Sequence, residues 1–507
     1  AVEDLQWLDA SSLEMLDLLS AEMKQMPLLL VVSQRPDFSH DWPEDAVAAA
    51  DMTLKRLDSD ASAALIAHIA GDRNLADDVR SQIIVRTDGI PSFIEEVTKS
   101  IFEAGILRER KGRYEAKGAL PERLIPETLK DSLMARLDSL ADAKELAQIG
   151  ATIGRSFTHE LIEAVSKMEA ALLNDSLARL NASGLIETLG EAPDAIYTFK
   201  QALVQETAYE TLLRQRRQNF HERIAQALEA GFPEIVAAQP ELLAHHYGVA
   251  GRNRSAVGYW MQAGERARKR SAEIEAIEHY TKALELLEQA PESSERTVQE
   301  LTCWTALGQA HLITDGYAAE ETRAAFETAF ELSAHVNDPE RQFLSAWGIL
   351  AYHFIHGDME RSLELSEESV KRAEASGNQS FRAVAMGSRG IILFSLGQFE
   401  KSADQVKRSL ALYGPEEQEE MARRFGLDVA VLSTSYGGRS QWILGYPDQA
   451  IEMTQRSLNL ARERARPFDL ASSLSTGLGY ARLLRGEVSE TRKCAMETIE
   501  ISEANHF

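Results

Sequence analysis

The sequence has little cysteine and no apolar run long enough to cross a membrane. Its two cysteines, Cys303 and Cys494, lie far apart without a C-x-x-C pattern or a histidine partner, which argues against a disulfide framework or a zinc site. The longest apolar run near a terminus, Pro27 to Val32, is far below the ~20 residues of a membrane span. No signal peptide opens the chain. We therefore expect a cytoplasmic protein that does not associate with membranes.

Positive charge is also scarce. Lys and Arg number 54 against 79 Asp and Glu, which gives a formal net charge of −25. Because this balance repels phosphate backbones, we expect no nucleic-acid binding by the chain as a whole. A chain of 507 residues is too long for one hydrophobic core, so the length predicts two to four domains, or one domain followed by a repeat array.

The sequence lacks the loop G-x-x-x-x-G-K-[ST], which holds the phosphates of nucleotides. The first nine residues nevertheless resemble the end of a strand that handles Mg²⁺ and the attacking water, because an apolar residue runs into Glu3 and Asp4. With no initiator Met either, we expect a fragment that begins within a domain. Nothing in such a fragment holds the β- and γ-phosphates, so we expect no ATP hydrolysis by this chain alone.

A strand-helix-strand pattern surrounds the acidic pair. A capped amphipathic helix is predicted from Ser11 to Met23, and the continuously apolar segment Leu28 to Val32 predicts a buried parallel strand. Ligands of doubly wound α/β folds bind at the carboxyl ends of such strands. Arg35 follows the second strand and is therefore placed to reach a phosphate. A solvated loop arginine is an equally weighted alternative.

Farther along, Gly89 makes a turn and Pro91 begins an amphipathic helix, a common arrangement by itself. Helices between residues 125 and 180 then precede a β-hairpin, in which a turn at Ser183-Gly184 leads into the first strand and Ile196 to Phe199 is the return strand. This order predicts a winged helix. A winged helix can read DNA. Here we favour packing between domains, because the recognition helix would offer Arg179 and Asn181 among acidic residues.

Three of these stretches together resemble the E-D-L-H-W-x-D, T-S-R-P and G-N-P-x-F-x-E-E motifs of STAND-type ATPases, which are regulatory AAA-like proteins. The matching stretches are Glu3-Asp4-Leu5-Gln6-Trp7-Leu8-Asp9, Ser33-Gln34-Arg35-Pro36 and Gly89-Ile90-Pro91-Ser92-Phe93-Ile94-Glu95-Glu96. Proteins of this kind occur in bacterial signalling, often behind a class III adenylate or guanylate cyclase domain or in activators of the maltose-regulator type.

The resemblance implies ATP or ADP and Mg²⁺ as cofactors. Glu3 and Asp4 would share Mg²⁺ and polarise the water, Arg35 would detect the γ-phosphate, and Gly89 with Pro91 would line the adenine side. The family also carries a winged helix that ends in F-[KR]-H-A-L-V-Q-E. In two of these motifs the family has a histidine where this chain has a glutamine. The two glutamines are Gln6 and Gln201.

From Gly258 on, the sequence repeats an aromatic residue, a small pair and the pattern A-x-x-x-[FY]-x-x-A, which is tetratricopeptide spacing. The second-helix markers stand at 276, 322, 362, 402, 450 and 491. Their steps of 46, 40, 40, 48 and 41 residues exceed the standard period of about 34. A glycine before each second helix is expected to make the turn. We expect the array to continue beyond residue 507.

Together these patterns predict a mainly α protein with a partial α/β P-loop ATPase core, a helical lid, a winged-helix-like domain and an α-solenoid of tetratricopeptide-like repeats. The predicted domains are a core at 1–52, a lid at 53–120, a winged-helix-like domain at 121–203, a helical linker at 204–257 and the repeat array at 258–507.

The leading functional hypothesis is a signal-transduction ATPase whose repeats bind a protein, a peptide or a small inducer. In this hypothesis the nucleotide state controls an output domain, for which a class III nucleotide cyclase is favoured. Self-association through the ATPase is an open alternative. A rival hypothesis is an interaction scaffold with a degenerate ATPase, and a third is a transcriptional activator of the maltose-regulator type.

Overall fold

The structure is a computed structural model, and it is mainly helical in the residues that it describes. It describes residues 1–23, 26–42, 50, 52–71, 74–103, 107–110, 113–116, 128–270, 272–316, 319–412, 414–425 and 427–504. The chain divides into two compact units, one of residues 1–6 and 15–256 and the other of residues 7–14 and 257–507. The predicted boundary at 120–121 lies outside the described residues, and the other predicted boundaries stay predictions.

The N-terminal segment contains helix α1 (Ala10–Glu22) and one parallel bridge between Val2 and Val32. The backbone N–H of Val2 donates to the Val31 carbonyl at 2.8 Å, and that of Ser33 donates to the Val2 carbonyl at 2.9 Å. The prediction of a buried strand at 28–32 is wrong, because the pairing is limited to one bridge and Leu29 is 85% exposed. In the described part of the chain, no second strand covers these apolar side chains.

The next elements form a small core of their own. They are α2 (Ser59–Ala70), β1 (Asn74–Leu75), α3 (Asp77–Thr87), α4 (Pro91–Glu103), β2 (Leu107–Arg110) and β3 (Arg113–Ala116). The three strands pair in the order β1-β3-β2. The Asp58 carboxylate caps α2 by accepting from the N–H of Ala61, and apolar residues from α2, α3 and α4 fill the core.

A second group of helices carries a three-stranded antiparallel sheet of order β4-β6-β5. Its elements are α5 (Leu129–Ser139), α6 (Asp142–Ile153), β4 (Ser156–Thr158), α7 (His159–Ser166), α8 (Ala170–Ala182), β5 (Ile186–Leu189) and β6 (Ile196–Phe199). The predicted hairpin is thus confirmed, and its register pairs Ile186 with Phe199. The predicted helix start at residues 125–127 lies outside the described residues, and Thr128 caps α5.

Four helices connect this sheet to the repeats, and they are α9 (Ala202–Glu210), α10 (Arg214–Gly231), α11 (Pro233–Ala238) and α12 (Pro240–Val249). Prolines occupy the first positions of α11 and α12. A backbone N–H at that position would have no acceptor within the helix, so proline costs no hydrogen bond there. Helix α10 packs on α12, on α7 and on α6. The segment is therefore a folded part of the first unit.

The second unit is an array of antiparallel helix pairs. Its helices are α13 (Asn253–Lys269), α14 (Glu273–Glu288), α15 (Ser294–Thr314), α16 (Glu320–Ser333), α17 (Pro339–Ile355), α18 (Met359–Ser376), α19 (Gln379–Ser395), α20 (Phe399–Leu410), α21 (Pro415–Phe425), α22 (Val429–Ile443), α23 (Pro447–Arg464), α24 (Pro467–Ser472), α25 (Tyr480–Leu484) and α26 (Val488–Ala504). A π-helical segment, Ser473–Gly479, joins α24 to α25. We call α14, α16, α18, α20, α23 and α26 the second helices, and their partners the first helices.

The predicted turn glycines are confirmed at five of the six second helices, and the prediction is wrong for α14, because no glycine stands between α13 and α14. Each second helix from α16 onward is preceded by a glycine at positive φ, and these are Gly316, Gly357, Gly397, Gly445 and Gly486. The unusually long step between markers 402 and 450 contains α21, which the repeat pattern did not predict. Helix α21 adds Met421 and Phe425 to a core with Phe343 and Phe381. The predicted tetratricopeptide-like solenoid is therefore present, with one additional helix.

Two properties of the described residues bear on earlier expectations. Cys303 and Cys494 are free and buried, and burial raises the pKa of the Cys303 thiol to about 12. Among the residues that the structure describes, no helix combines the length and the hydropathy that a membrane span needs.

Close approach between helices depends on glycines that face an aromatic ring. Phe326 on α16 is 1% exposed and lies between Gly308 on α15 and Gly348 on α17. A Cβ atom at Gly348 would lie 2.2 Å from the ring, and one at Gly308 would lie 2.8 Å from it. Because close-packed residues enclose the ring, moving it aside would disrupt the packing around it.

We expect Gly348→Ala to lower the free energy of unfolding of the second unit by about 1–3 kcal/mol, because the added methyl group overpacks the Phe326 site. Thermal unfolding followed by tryptophan fluorescence measures the change. Gly258→Ala is the matched control, because a Cβ atom there meets nothing within 4 Å. This control should be neutral or raise stability by up to about 1 kcal/mol. Equal melting temperatures for the two variants would contradict the prediction.

Candidate functional site

The Val2–Val32 bridge brings the predicted catalytic residues together. The Asp4 N–H donates to Ser33 Oγ at 3.1 Å, and Gln6 Nε2 donates to Asp4 Oδ1 at 3.2 Å. The Arg35 N–H in turn donates to Gln6 Oε1 at 3.2 Å. Asp4 has a φ of 57°, in the left-handed region that Asp tolerates better than most residues. The two motifs thus meet directly at Asp4 and Ser33 and also through Gln6, one of the two residues that depart from the family pattern.

Both charged side chains of this cluster face ion partners that the sequence did not indicate. Arg155 Nη1 lies 3.5 Å from Asp4 Oδ2, and Arg35 Nη2 lies 3.7 Å from Glu206 Oε1. All four side chains are about half-exposed, so each pair is weak by itself. Glu206 belongs to the F-K-x-A-L-V-Q-E stretch, whereas Arg155 carried no sequence signal.

Glu3 and Asp4 have the donor chemistry that Mg²⁺ requires. Mg²⁺ takes oxygen ligands, and it is commonly held by one or two carboxylates together with waters and substrate phosphates. Glu3 is exposed and the Asp4 carboxylate is partly exposed, so both can reach a hydrated ion. In the described ranges, no group of three or more His, Cys, Asp or Glu residues has metal-site geometry. The proposed ion would therefore need ligands from water or nucleotide.

Gly89 and Pro91 lie in a different core from the acidic pair. Gly89 has a φ of +70°, and its carbonyl accepts from the Leu57 N–H at 2.8 Å. A Cβ atom at Gly89 would lie 2.2 Å from the Leu57 carbonyl oxygen, so this contact alone requires glycine. Pro91 begins α4 as expected. The contact with Leu57 explains the glycine without a nucleotide, and adenine binding stays a prediction.

A buried histidine network lies between α9, α10 and α12. Tyr209 Oη lies 2.9 Å from His221 Nε2, and His221 Nδ1 lies 2.8 Å from His246 Nδ1. One of the two Nδ1 atoms must donate to the other. His246 Nε2 is buried and has no hydrogen-bond partner in the part of the chain that is described. His221 and His246 are 25 residues apart in the sequence, and the helix packing brings them together.

Burial is the main cause that lowers the pKa of His221 to about 4 and that of His246 to about 3. The neighbouring histidines contribute to both of these values, and Arg217 contributes to that of His221. Both imidazoles are therefore neutral at physiological pH.

The first helices form the inner layer of the repeat array. Helix α15 packs on α17, α17 packs on α19, α19 packs on α22, and α22 packs on the segment 473–479. The second helices instead pack on the first helices before and after them, as α18 does on α17 and α19. A solenoid curves toward its more closely packed layer, and this concave face is the usual binding surface. The inner layer is therefore the candidate binding surface of the second unit.

No model of a protein family matches the chain. An uncharacterised protein of Rhizobium meliloti (strain 1021) is 27% identical over 493 residues, which cover 94% of this chain and 46% of that protein. The chain thus spans about half the length of the curated relative that it matches.

Solved structures with detectable likeness contain helical repeats. One is a signal transduction ATPase with numerous domains and a tetratricopeptide repeat sensor from Pyrococcus horikoshii, with a TM-score of 0.37, 14% identity and coverage of 100% of this chain and 74% of that one. Another is aspartyl phosphate phosphatase F from Bacillus subtilis, with a TM-score of 0.38, 12% identity and coverage of 89% and 96%. Both TM-scores are below 0.5, so neither likeness establishes a function.

The histidine network predicts a loss of stability in mild acid. Below pH 6.5 the unfolded chain binds protons at His221 and His246, whereas the folded chain does so only near pH 4 and 3. The free energy of unfolding therefore falls as the pH falls from 6.5, by up to about 1.4 kcal/mol per histidine per pH unit. We expect the fall between pH 6.5 and 5 to be about 1–2 kcal/mol smaller in His246→Asn, which keeps a hydrogen-bonding group without a titratable ring.

Hydrogen exchange of peptides from 214–231 and 240–249, corrected for intrinsic rates at each pH, measures this change. His68→Asn is the control, because His68 is exposed on α2. The control should keep the pH dependence of the unchanged protein. The same pH dependence in His246→Asn would contradict the assignment.

Proposed function

We propose that this chain is a regulatory protein whose repeat array binds a protein or peptide partner on its inner layer. The observation that carries this proposal is the continuous layer of first helices from α15 to α25, which gives an extended surface of the kind that solenoids use for binding.

A photo-crosslinker placed on the inner layer tests this proposal. Trp442 lies four residues after Gly438 on α22, as Phe394 lies four residues after Gly390 on α19, so both occupy the same position in successive repeats. With p-benzoylphenylalanine at 442, irradiated cells that express the complete gene product should contain an adduct of one discrete mass. Mass spectrometry identifies the partner.

The control position is Met496, which is 55% exposed on the second helix α26. We expect no adduct there. Equal adducts at both positions, or none at 442, would contradict binding on the inner layer.

We further propose that residues 1–52 are part of a nucleotide-binding core whose state the bound partner controls. The parallel Val2–Val32 bridge, with Asp4, Ser33 and Arg35 just beyond it, supports this proposal because ligands of α/β folds bind there. The helix-strand-helix-helix-strand-strand order of α6 to β6, with strand order β4-β6-β5, supports the winged-helix-like assignment. Adenine binding at Gly89 and Pro91, and a cyclase as output, rest on the family resemblance.

In this proposal, nucleotide binding competes with the two ion pairs of the site. Mg²⁺ bound by Asp4 would repel the Arg155 guanidinium, and a phosphate bound by Arg35 would replace the Glu206 carboxylate. Asp4 and Arg35 are therefore placed to couple nucleotide binding to the segment 142–210. The scaffold with a degenerate ATPase stays the alternative, because this chain contains no phosphate-binding loop.

We expect Asp4→Asn to lower ATP hydrolysis by the complete gene product about 100-fold or more, because the variant loses a metal-binding carboxylate. Asp37→Asn removes an exposed carboxylate two residues after Arg35 and should leave the rate unchanged. Steady-state release of phosphate measures both rates. Hydrolysis at the unchanged rate in Asp4→Asn would exclude the assigned role of Asp4. Absence of hydrolysis by the unchanged gene product would instead favour the scaffold alternative.

A further inference from the structure

The last three first helices have an unusual charge composition. Helix α19, helix α22 and the segment 473–484 contain four arginines and no acidic residue, although acidic residues exceed basic ones by 25 in the whole chain. The arginines are Arg382, Arg389, Arg439 and Arg482. Acidic residues are instead found on the second helices that pack against them, α18, α20, α23 and α26. The inner layer is therefore locally positive in an acidic protein.

Arg439 differs from two of the other arginines in its contacts. Arg389 lies 3.0 Å from Glu367, and Arg482 lies 2.9 Å from Glu490. Arg439 has no carboxylate partner among the described residues, and its Nε is buried without an acceptor there. The residue as a whole is partly exposed, so its terminal nitrogens remain for solvent or a ligand.

Three aromatic rings hold the Arg439 guanidinium in place. Its Cζ lies 4.5 Å from the ring centre of Phe394, 5.1 Å from that of Tyr436 and 4.4 Å from that of Tyr480. These rings come from α19, α22 and α25, so the cluster spans three successive repeats. Cation–π contacts attract the guanidinium to the ring faces, but they leave its charge and its N–H donors unpaired.

The repeat geometry places this cluster on the inner layer. Arg439 directly follows Gly438, whose missing Cβ faces Thr454 on the second helix α23. Tyr480 directly follows Gly479, whose missing Cβ faces Cys494 on α26 and the Leu474 carbonyl. Arg439 and Tyr480 thus occupy the same position in successive first helices. Each directly follows the glycine that faces the second helix, so its side chain lies next to that packed side of the helix. They meet between first helices, on the candidate binding surface.

We propose that Arg439 binds the carboxylate of an aspartate or glutamate side chain in a peptide segment that lies along the inner layer. This inference rests on the proposed function of the array. One unpaired guanidinium matches the single charge of a carboxylate and can bind it bidentately. The flanking rings of Phe394 and Tyr480 contact the apolar atoms that accompany such a side chain. The acidic residues next to these ranges, Asp428 and Asp469, are buried and paired with Arg464 and Arg466, so the ligand is the source of the negative charge.

Binding of synthetic peptide pools to the 507-residue chain tests this site. Each pool contains fluorescent octapeptides with blocked termini, random at seven positions and fixed at a central position as Glu in one pool and Gln in the other. Fluorescence anisotropy should show about tenfold tighter binding of the Glu pool, because a charge-assisted hydrogen-bonded pair is lost with Gln. The preference should disappear in Arg439→Gln.

Arg389→Gln is the matched control, because it removes the same charge from the neighbouring first helix, where that charge is already paired with Glu367. It should keep the preference for Glu. Arg439→Lys retains the charge without the planar donors and should keep less than half of the preference. Circular dichroism and thermal unfolding establish that each variant is folded. If Arg439→Gln does not fold, the test is the loss of more than half of the preference for the Glu pool in Arg439→Lys.

The remaining outcomes separate this inference from the proposed function. Binding of both pools with equal affinity, or an unchanged preference in Arg439→Gln, overturns the Arg439 site and leaves peptide binding by the array intact. No binding of either pool by the unchanged protein also overturns the Arg439 site, whereas absence of an adduct at position 442 contradicts the proposed function. Competition by free glutarate or inorganic phosphate at the same concentration as the Glu pool would identify a small anion as the ligand and overturn the peptide assignment.

Discussion

The close approach of paired helices is the constraint on which the repeat array depends. At the contact points, second helices present small residues, and several are serines whose hydroxyls donate to carbonyls of the first helix. Ser402 Oγ lies 2.8 Å from the Gly390 carbonyl, Ser409 Oγ 2.7 Å from that of Ala383, and Ser457 Oγ 2.8 Å from that of Val431. A larger side chain would separate the helices, and alanine would lose the hydrogen bond. These serines therefore give the pairs both contact and polar ties.

The small residues at these helix contacts determine how much of the array could be predicted from the sequence. Small residues and turn glycines recur at fixed spacing, so the helix pairs and the 186–199 hairpin were predictable from local pattern. Helix α21 was missed because it interrupts the period, and its burial depends on Phe343 and Phe381, which are distant in sequence. The exposed segment 28–32 was predicted as buried because its apolar run is the same whether or not other elements cover it.

The candidate sites show the same division. Glu3, Asp4 and Arg35 could be named because they stand in contiguous motifs, but their ion partners Arg155 and Glu206 are set by tertiary folding. His221 lies 25 residues before His246, and no periodic pattern relates the two. The Arg439 cluster has a sequence signal, namely first helices with arginine and without acid. That signal becomes visible only when the helices are sorted into two layers.

The sorting of charge also bears on how tightly the array can bind. Several arginines of the second unit pair with carboxylates of a neighbouring second helix, as Arg462 does with Glu497 at 2.9 Å. Such an arginine would have to break its ion pair before it binds a ligand, and this cost cancels much of the binding free energy. Arg439 has no such partner in the described chain, and three rings restrict its rotamers before any ligand arrives. Binding of a ligand at Arg439 therefore costs less free energy, because the preorganised side chain loses little conformational entropy when the ligand binds.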